Sequence, residues 1–255
     1  MSNPITKSGQ KEQVREFWNR NVNQFNQLQR DDIGTREFFD TAEKLRYQYH
    51  YHLPSLFDRI AGEFPGGHLL EVGCSMGNDT IQFARRGMHV TGVDITDTAV
   101  AIIKERFLLY DMPGDFRVAD AELLPFPDNT FDVGYSFGVL HHTPDTAGAI
   151  EELRRVLKPG GKAFVMLYNT LSLNWLAHRL TGIPYDGSKA DPCPVEKSYL
   201  PAEAKAFFSN YSQLSLDIDY LYGTGWGVFN RLMPAFFHRA LGKVIGWHLM
   251  IEAVK

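Results

Sequence analysis

Cysteine is almost missing from this chain. Cys74 and Cys193 are the only two, which excludes a disulfide framework and a cysteine-rich zinc site. His50/His52 and His141/His142 have no carboxylate or cysteine beside them at a ligand spacing, so no metal centre is expected. No apolar run approaches the ~20 residues of a membrane span. No long basic run exists, and the net charge is −4, so neither nucleic acid nor a membrane is expected as partner. The opening MSNPITKSGQKEQ has no signal-peptide core, which points to a cytoplasmic protein. No internal repeat is visible.

What remains is an ordinary globular composition, 44% apolar over 255 residues, enough for one domain with embellishments. Its centre is Leu69–Asp94, LLEVGCSMGNDTIQFARRGMHVTGVD. An apolar strand, Leu69–Val72, turns through Gly73–Gly77 into a short amphipathic helix carrying Ile81, Phe83 and Ala84. Gly87 closes that helix, and a second strand, Met88–Val93, ends in Asp94. In such a βαβ unit the glycine turn lets backbone N–H groups approach a ligand. The terminal acid accepts hydrogen bonds from ribose hydroxyls. The nicotinamide pattern G-x-G-x-x-G fits poorly, because its second and third glycines would fall on Ser75 and Asn78.

Further along, Thr96 caps a helix over 97–109, and Phe116–Ala119 reads as a third strand ending at Asp120-Ala-Glu122. Phe131-Asp-Val-Gly-Tyr-Ser-Phe-Gly-Val-Leu-His-His142 is a buried strand running into a loop. Thr143 then caps a helix with Pro144 in its first turn. Lys158-Pro-Gly-Gly161 turns into a fifth strand, Lys162–Tyr168.

The pattern Glu71, Gly73, Ser75, Gly77 resembles the first motif of the class I S-adenosylmethionine-dependent methyltransferases. Asp94 stands where that family has its ribose-binding acid. Asp120-Ala121, the strand and loop at 131–142, and Leu-Lys-Pro-Gly-Gly161 resemble three later family motifs. The resemblance covers roughly residues 66–168. It implies an α/β three-layer sandwich whose mostly parallel seven-stranded sheet has the order 3-2-1-4-5-7-6, the last strand antiparallel. It also implies S-adenosylmethionine as cofactor, with S-adenosylhomocysteine as product. Glu71, Gly73, Ser75, Gly77, Asp94, Ile95, Ser136 and Phe137 are then cofactor-binding. Asp120 accepts from the adenine amino group, and the Ala121 N–H meets the ring.

The domain reading is a helical cap over 1–62 and a methyltransferase domain over 63–255, with insertions at about 169–200 and 222–243. Residues 1–9 are polar and read as disordered. Helical spacing follows over about Gln10–Leu28 and Thr35–His52, with a new start at Pro54. These helices are too aromatic for a solvated arm. They are expected to close over the cofactor with Trp18, Arg46 and Tyr47 turned toward it, Arg46 pairing with the methionine carboxylate. An acceptor that must lose a proton needs a base. His141 and His142 are the candidates, with His178, Tyr168 and Tyr185 behind them. The fifth strand ends in Leu167-Tyr168-Asn169, without the acid that some family members carry there. The implied function is methylation of an oxygen, nitrogen or carbon of a small molecule by a monomer or homodimer. The alternatives are a protein methyltransferase, a non-catalytic nucleotide-binding module and a nicotinamide oxidoreductase. The Asn/Asp-Pro-Pro-aromatic tetrapeptide of many amino-group methylators is missing at 134–140.

Overall fold

The computed structural model describes residues 6–22, 33–221, 226 and 232–255. Seven strands form one sheet: β1 (His68–Val72), β2 (His89–Asp94), β3 (Asp115–Val118), β4 (Phe131–Phe137), β5 (Leu157–Tyr168), β6 (Gln213–Asp219) and β7 (His248–Val254). Their order is β3-β2-β1-β4-β5-β7-β6, as the resemblance implies. β7 runs antiparallel to both β5 and β6, and the other pairings are parallel.

Alternating side chains divide the core between the two faces, because successive residues of a strand point to opposite sides. Leu70, Val72, Ala163, Val165 and Leu167 pack on one face with Ile150, Leu153 and Val156 of α6 (Thr146–Val156). Leu69, Val133, Tyr135 and Phe164 pack on the other. There they meet α3 (Leu53–Glu63), α4 (Thr80–Arg85) and α5 (Asp97–Leu109). The chain leaves β1 for β2 on one side and reaches β4 on the other. This reversal opens a crevice at the carboxyl ends of the strands, the place where such sheets bind ligands.

Three local expectations are corrected. Of the polar start, Lys7–Gly9 are helical, since α1 (Lys7–Arg20) begins at Lys7 with the Thr6 hydroxyl accepting from Gly9 N. Phe25 and Leu28, expected to continue it, lie outside the described residues. Asp145 caps α6 by accepting from Gly148 N at 3.0 Å, while Thr143 donates to Leu140 O and closes a 3₁₀ turn over Leu140–His142. Lys158–Gly161 is a bulged strand entry instead of a free turn. Leu157 already pairs with Phe131, and the register shifts before Val133.

The cap helices continue with α2 (Arg36–Tyr49), where Thr35 accepts from Phe38 N, and then α3, with Pro54 in its first turn. Phe38, Phe39 and Ala42 of α2 pack on Ile102 of α5 and on Met76 of the glycine turn. The first insertion contains α7 (Leu173–Thr181), capped by Ser172 and closed by Gly182 in the left-handed region, and is followed by α8 (Pro201–Ala206). Of the helix expected near Phe229–Leu241, residues up to 231 lie outside the described chain. The described part is α9 (Ala235–Ile245).

Candidate active site

The turn after β1 is held open by backbone shape. Gly73 and Gly77 adopt φ of +79° and +78°, and a Cβ at Gly73 would stand 2.2 Å from a Val139 methyl carbon. Only glycine is free of strain there, and only glycine lets the turn pass that close to the loop after β4. Ser75 takes φ 47°, which directs its N–H to Asp94 Oδ2 at 3.0 Å. Thr96 donates to Asp94 Oδ1 from its N–H at 3.0 Å and its hydroxyl at 2.8 Å. Burial raises the pKa of Asp94 despite these donors. The carboxylate therefore gains from any further donor brought to it.

A cavity of about 1110 Å³ opens over this turn. Glu71, Gly73, Ser75, Asp94 and Ile95 line it, as do Asp120, Ala121 and Phe137. Trp18, Arg46 and His142 reach it as well. Four expected members stand outside the lining. Gly77 faces α5, where a Cβ would meet Ile103 at 2.6 Å. The Ser136 hydroxyl is buried and donates to Val72 O at 3.0 Å, tying β4 to β1. Tyr47 and His141 point into the protein.

Behind the turn lies a charge cluster that the sequence reading missed. Arg46 donates from Nε to Asp79 Oδ1 at 2.6 Å and from Nη2 to Oδ2. Tyr47 OH donates to Asn78 O at 2.7 Å and to Asp79 Oδ1 at 3.1 Å, and Tyr135 OH donates to Asp79 Oδ2 at 2.9 Å. Arg46 is thus committed to a carboxylate of its own chain, and Tyr47 serves the same acid instead of the cavity. Burial would lower the Arg46 pKa, but the facing Asp79 charge outweighs it and raises it. Glu71 accepts from the Thr80 hydroxyl. Burial, and then the nearby Asp79 charge, push Glu71 well above the carboxylate range. The one signal in the sequence was an acid directly after Gly77-Asn78, at the start of α4.

At the far end of the crevice Asp120 Oδ1 accepts from Glu122 N at 2.9 Å, and Oδ2 pairs with Lys11 of α1 at 2.5 Å. Lys11 also reaches Glu122 at 2.8 Å. Lys7 and Arg15, one helical turn to either side, pair with Asp145 and Asp97. One face of α1 therefore lies across an acidic rim. Its next face sends Val14, Phe17 and Trp18 into the cavity. α1 meets the first insertion as well, where Phe17 packs on Gly187 and Arg20 pairs with Asp191 at 3.3 Å.

The two adjacent histidines are separated. His141 is fully buried, tilted against Tyr168 with ring centroids 3.8 Å apart, and burial pushes its pKa well below 6.5. His142 faces the cavity edge-on to Trp18. Its Nδ1 lies 2.7 Å from Val195 O and 3.5 Å from Cys193 Sγ, and its Nε2 lies 3.4 Å from Asp186 Oδ2. Nδ1 donates to Val195 O, and the Asp186 carboxylate near Nε2, though not hydrogen-bonded to it, favours a positive charge on the ring. Burial works against that charge, but Asp186 and Cys193 prevail and raise the pKa to about 10. Asp186 also accepts from Tyr168 OH at 3.0 Å. Asp186 thus brings a carboxylate to the end of β5 from the loop after α7, and no local pattern marked it for this. Glu196 shapes that loop by accepting from the N–H of Tyr185 and of Asp186, and burial raises its pKa to about 7. The remaining wall is aromatic, with Tyr168, Tyr185, Tyr220, Trp226, Trp247 and His248. Among the described residues, no group of histidines, cysteines and acids is set to hold a metal ion.

The central part of the chain is similar to known proteins. Residues 70–165 match the family model described as "Methyltransferase domain". The chain is 39% identical over 113 residues to 27-O-demethylrifamycin SV methyltransferase of Amycolatopsis mediterranei, covering 42% of this chain and 42% of that protein. It is 40% identical over 106 residues to 2-methyl-6-phytyl-1,4-hydroquinone methyltransferase of Synechocystis, covering 41% of this chain and 33% of that one. The match thus spans less than half the length of either relative. A solved structure described as a SAM-dependent methyltransferase, possible histamine N-methyltransferase, from Thermotoga maritima shares the fold. Its TM-score is 0.62 over 95% of this chain and 99% of that one, at 16% identity. The sheet and its glycine turn, over which residues 70–165 match that model, have the fold of a class I, Rossmann-like methyltransferase domain.

The His142–Asp186 pair is directly testable. Because the folded pKa lies above the ordinary ~6.5, its contribution to stability is complete below that pH and is lost as pH rises through about 10. Imidazole NMR should show His142 doubly protonated at pH 8 and titrating near 10. Asp186→Asn should move that titration below ~6.5 and cost about 3 kcal/mol at neutral pH, the loss typical of breaking a buried pair. A His142 signal already neutral at pH 8 in the unaltered protein would contradict this assignment.

Proposed function

We propose that this chain transfers the methyl group of S-adenosylmethionine to an oxygen, nitrogen or carbon of a small molecule. The observation that carries the reading is Asp94. It is a buried carboxylate at the end of β2, fixed by N–H groups of the glycine turn and of Thr96, and it faces the cavity. Burial raises its pKa despite the donors it already has, and the two hydroxyls of a ribose would add further donors to this desolvated carboxylate. The cavity exceeds the ~300–1,000 Å³ typical of single-ligand pockets, which leaves room for a nucleoside and an acceptor together. Asp120 and Ala121 stand at the adenine end in this reading, with Trp18 and Phe137 offering aromatic faces.

When bound, S-adenosylmethionine supplies a methyl group already activated on a sulfonium, so the protein's main task is alignment and exclusion of water. α1 and the first insertion meet over the cavity through Phe17–Gly187 and Arg20–Asp191, a roof that suits a small acceptor better than a protein side chain. The acidic rim of Asp97, Asp120, Glu122 and Asp145 argues against nucleic acid. Lys7 and Arg15 hold α1 to that rim by exposed, salt-screened pairs and Lys11 by half-buried ones, which suits a lid that opens and recloses.

For an acceptor that must lose a proton, the expected pair His141/His142 is poorly suited. His141 does not reach the cavity, and His142 is held protonated. His50 and His248 line the cavity, but burial keeps both well below 6.5 and makes them weak bases. His178 of α7 fits better. Its Nδ1 lies 2.8 Å from Ile183 O, so Nδ1 carries the proton and Nε2 keeps its lone pair on a ring that lines the cavity.

Calorimetry with S-adenosylhomocysteine should show binding where NAD shows none. Asp94→Ala should weaken it by about 1.5–3 kcal/mol, the loss of charge-assisted hydrogen bonds. Micromolar NAD binding without S-adenosylhomocysteine binding would sink the reading. His178→Ala should lower turnover of a hydroxyl acceptor by ~10²–10⁴-fold while leaving cofactor affinity unchanged. Undiminished turnover would remove His178 from the proton path. Deleting residues 1–22 should leave a folded core that binds S-adenosylhomocysteine roughly tenfold more weakly, a loss of ~1.4 kcal/mol. Equal affinity in the truncated protein would show that α1 is no lid.

A further inference from the structure

Two helices beside the cavity carry apolar residues on the wrong side for a surface bathed only in water. In α7, Asn174, Ala177, His178 and Thr181 face the cavity. The opposite face bears Leu176 and Leu180, the latter 77% exposed. In α9, His238 packs on Tyr51 and Tyr220, and Gly242 lies against the backbone of Tyr220 and Leu221. The outward face then presents Phe236, Ala240 and Val244 at four-residue spacing, with Phe237 alongside. Phe236 is 75% exposed, Phe237 56% and Val244 70%. Large apolar residues grouped in this way mark an interaction surface, whereas scattered ones do not.

Both helices spring from one corner of the sheet. α7 follows the end of β5 and α9 precedes the start of β7, where Tyr168 pairs with His248 and Asn169 Nδ2 donates to Gly246 O at 2.8 Å. Their charge is one-sided. Neither helix contains an acid, while Arg179, Arg239 and Lys243 are basic. Lys243 pairs with Asp219 yet keeps 60% of its side chain exposed. The whole chain carries −4, so this corner opposes the sign of the rest. An apolar stripe flanked by arginine and lysine is the composition of a helix that lies in a lipid interface.

We propose that α7 and α9 dock this protein on an anionic lipid surface, with the apolar faces in the acyl boundary and the basic residues at the headgroups. The acceptor cavity lies directly behind α7, so an amphiphilic acceptor held in the lipid would enter there. That second clause rests on the methyl-transfer reading, whereas the docking surface does not. Whole-chain charge gave no reason to expect a membrane because the acidic rim on the cofactor side masks the basic corner.

The test is co-sedimentation of the full chain with vesicles of equal parts phosphatidylglycerol and phosphatidylcholine, and with phosphatidylcholine alone. The expected result is at least tenfold stronger partitioning into the anionic vesicles, and at least a tenfold loss in both F236E/F237E and L180E. The substituted side chains are exposed, so S-adenosylhomocysteine binding measured on the same variants should be unchanged. Vesicle binding without S-adenosylhomocysteine binding would uphold the docking surface and sink the methyl-transfer reading. Failure to bind either vesicle, or equal binding of both, would overturn the proposal. So would a dimer seen by sedimentation velocity that F236E/F237E abolishes, since the face would then hold a second copy of the chain.

Discussion

Asp79 is a carboxylate shut away from water at the start of α4, and its neutralisation holds the cofactor side of the molecule together. Arg46 reaches it from α2, Tyr47 from the same helix and Tyr135 from β4. A buried charge without partners is costly, and removing one member of such a pair typically costs about 3–5 kcal/mol. The cap helix, the turn after β1 and the fourth strand are therefore bound into one unit. Arg106 supports the same region from α5, donating to Met76 O and Asn78 Oδ1 and pairing with Glu43 of α2. The glycine turn can thus stay open with strained backbone at Ser75 because polar contacts from behind over-determine its shape.

The crevice has two chemically distinct ends. Around Asp94 and Asp120 it is acidic and ordered by backbone donors, and a basic face of α1 lies over it. Around Tyr168, Tyr185 and Trp247 it is aromatic, with its charges withdrawn into the His142–Asp186 pair. That division matches the demands of a polar nucleoside at one end and an apolar acceptor at the other. Residues of α7, of the loop after it and of the start of β7 wall the aromatic end, while the sheet and α1 form the acidic end.

His141 and His142 show how environment divides two identical residues. One ring is packed in the core with no charge to support it and stays neutral. Its neighbour faces a carboxylate and a carbonyl and is held as a cation. Adjacency in the sequence carried no information about this difference. On α7 the carbonyl of Ile183 lies against Nδ1 of His178 and selects its tautomer.

By itself the sequence determined what short-range physics controls. Short apolar runs specified the strands, Gly73 specified a turn that a Cβ would block, and Thr96 specified the start of a helix whose bounds, Asp97–Leu109, agree with the reading. Asp94 and Asp120 were legible because each sits at the end of its own strand, so the sheet delivers both to one edge. The tertiary structure alone decided which charges meet. Arg46 was assigned to a ligand and is bound by Asp79, Tyr47 was turned toward the cavity and supports the same acid, and Asp186 acquired a role from a loop with no motif. Such pairings depend on how distant segments stack. Desolvation then makes each buried charge take whichever partner the packing brings within reach, and neither spacing nor composition encodes that choice.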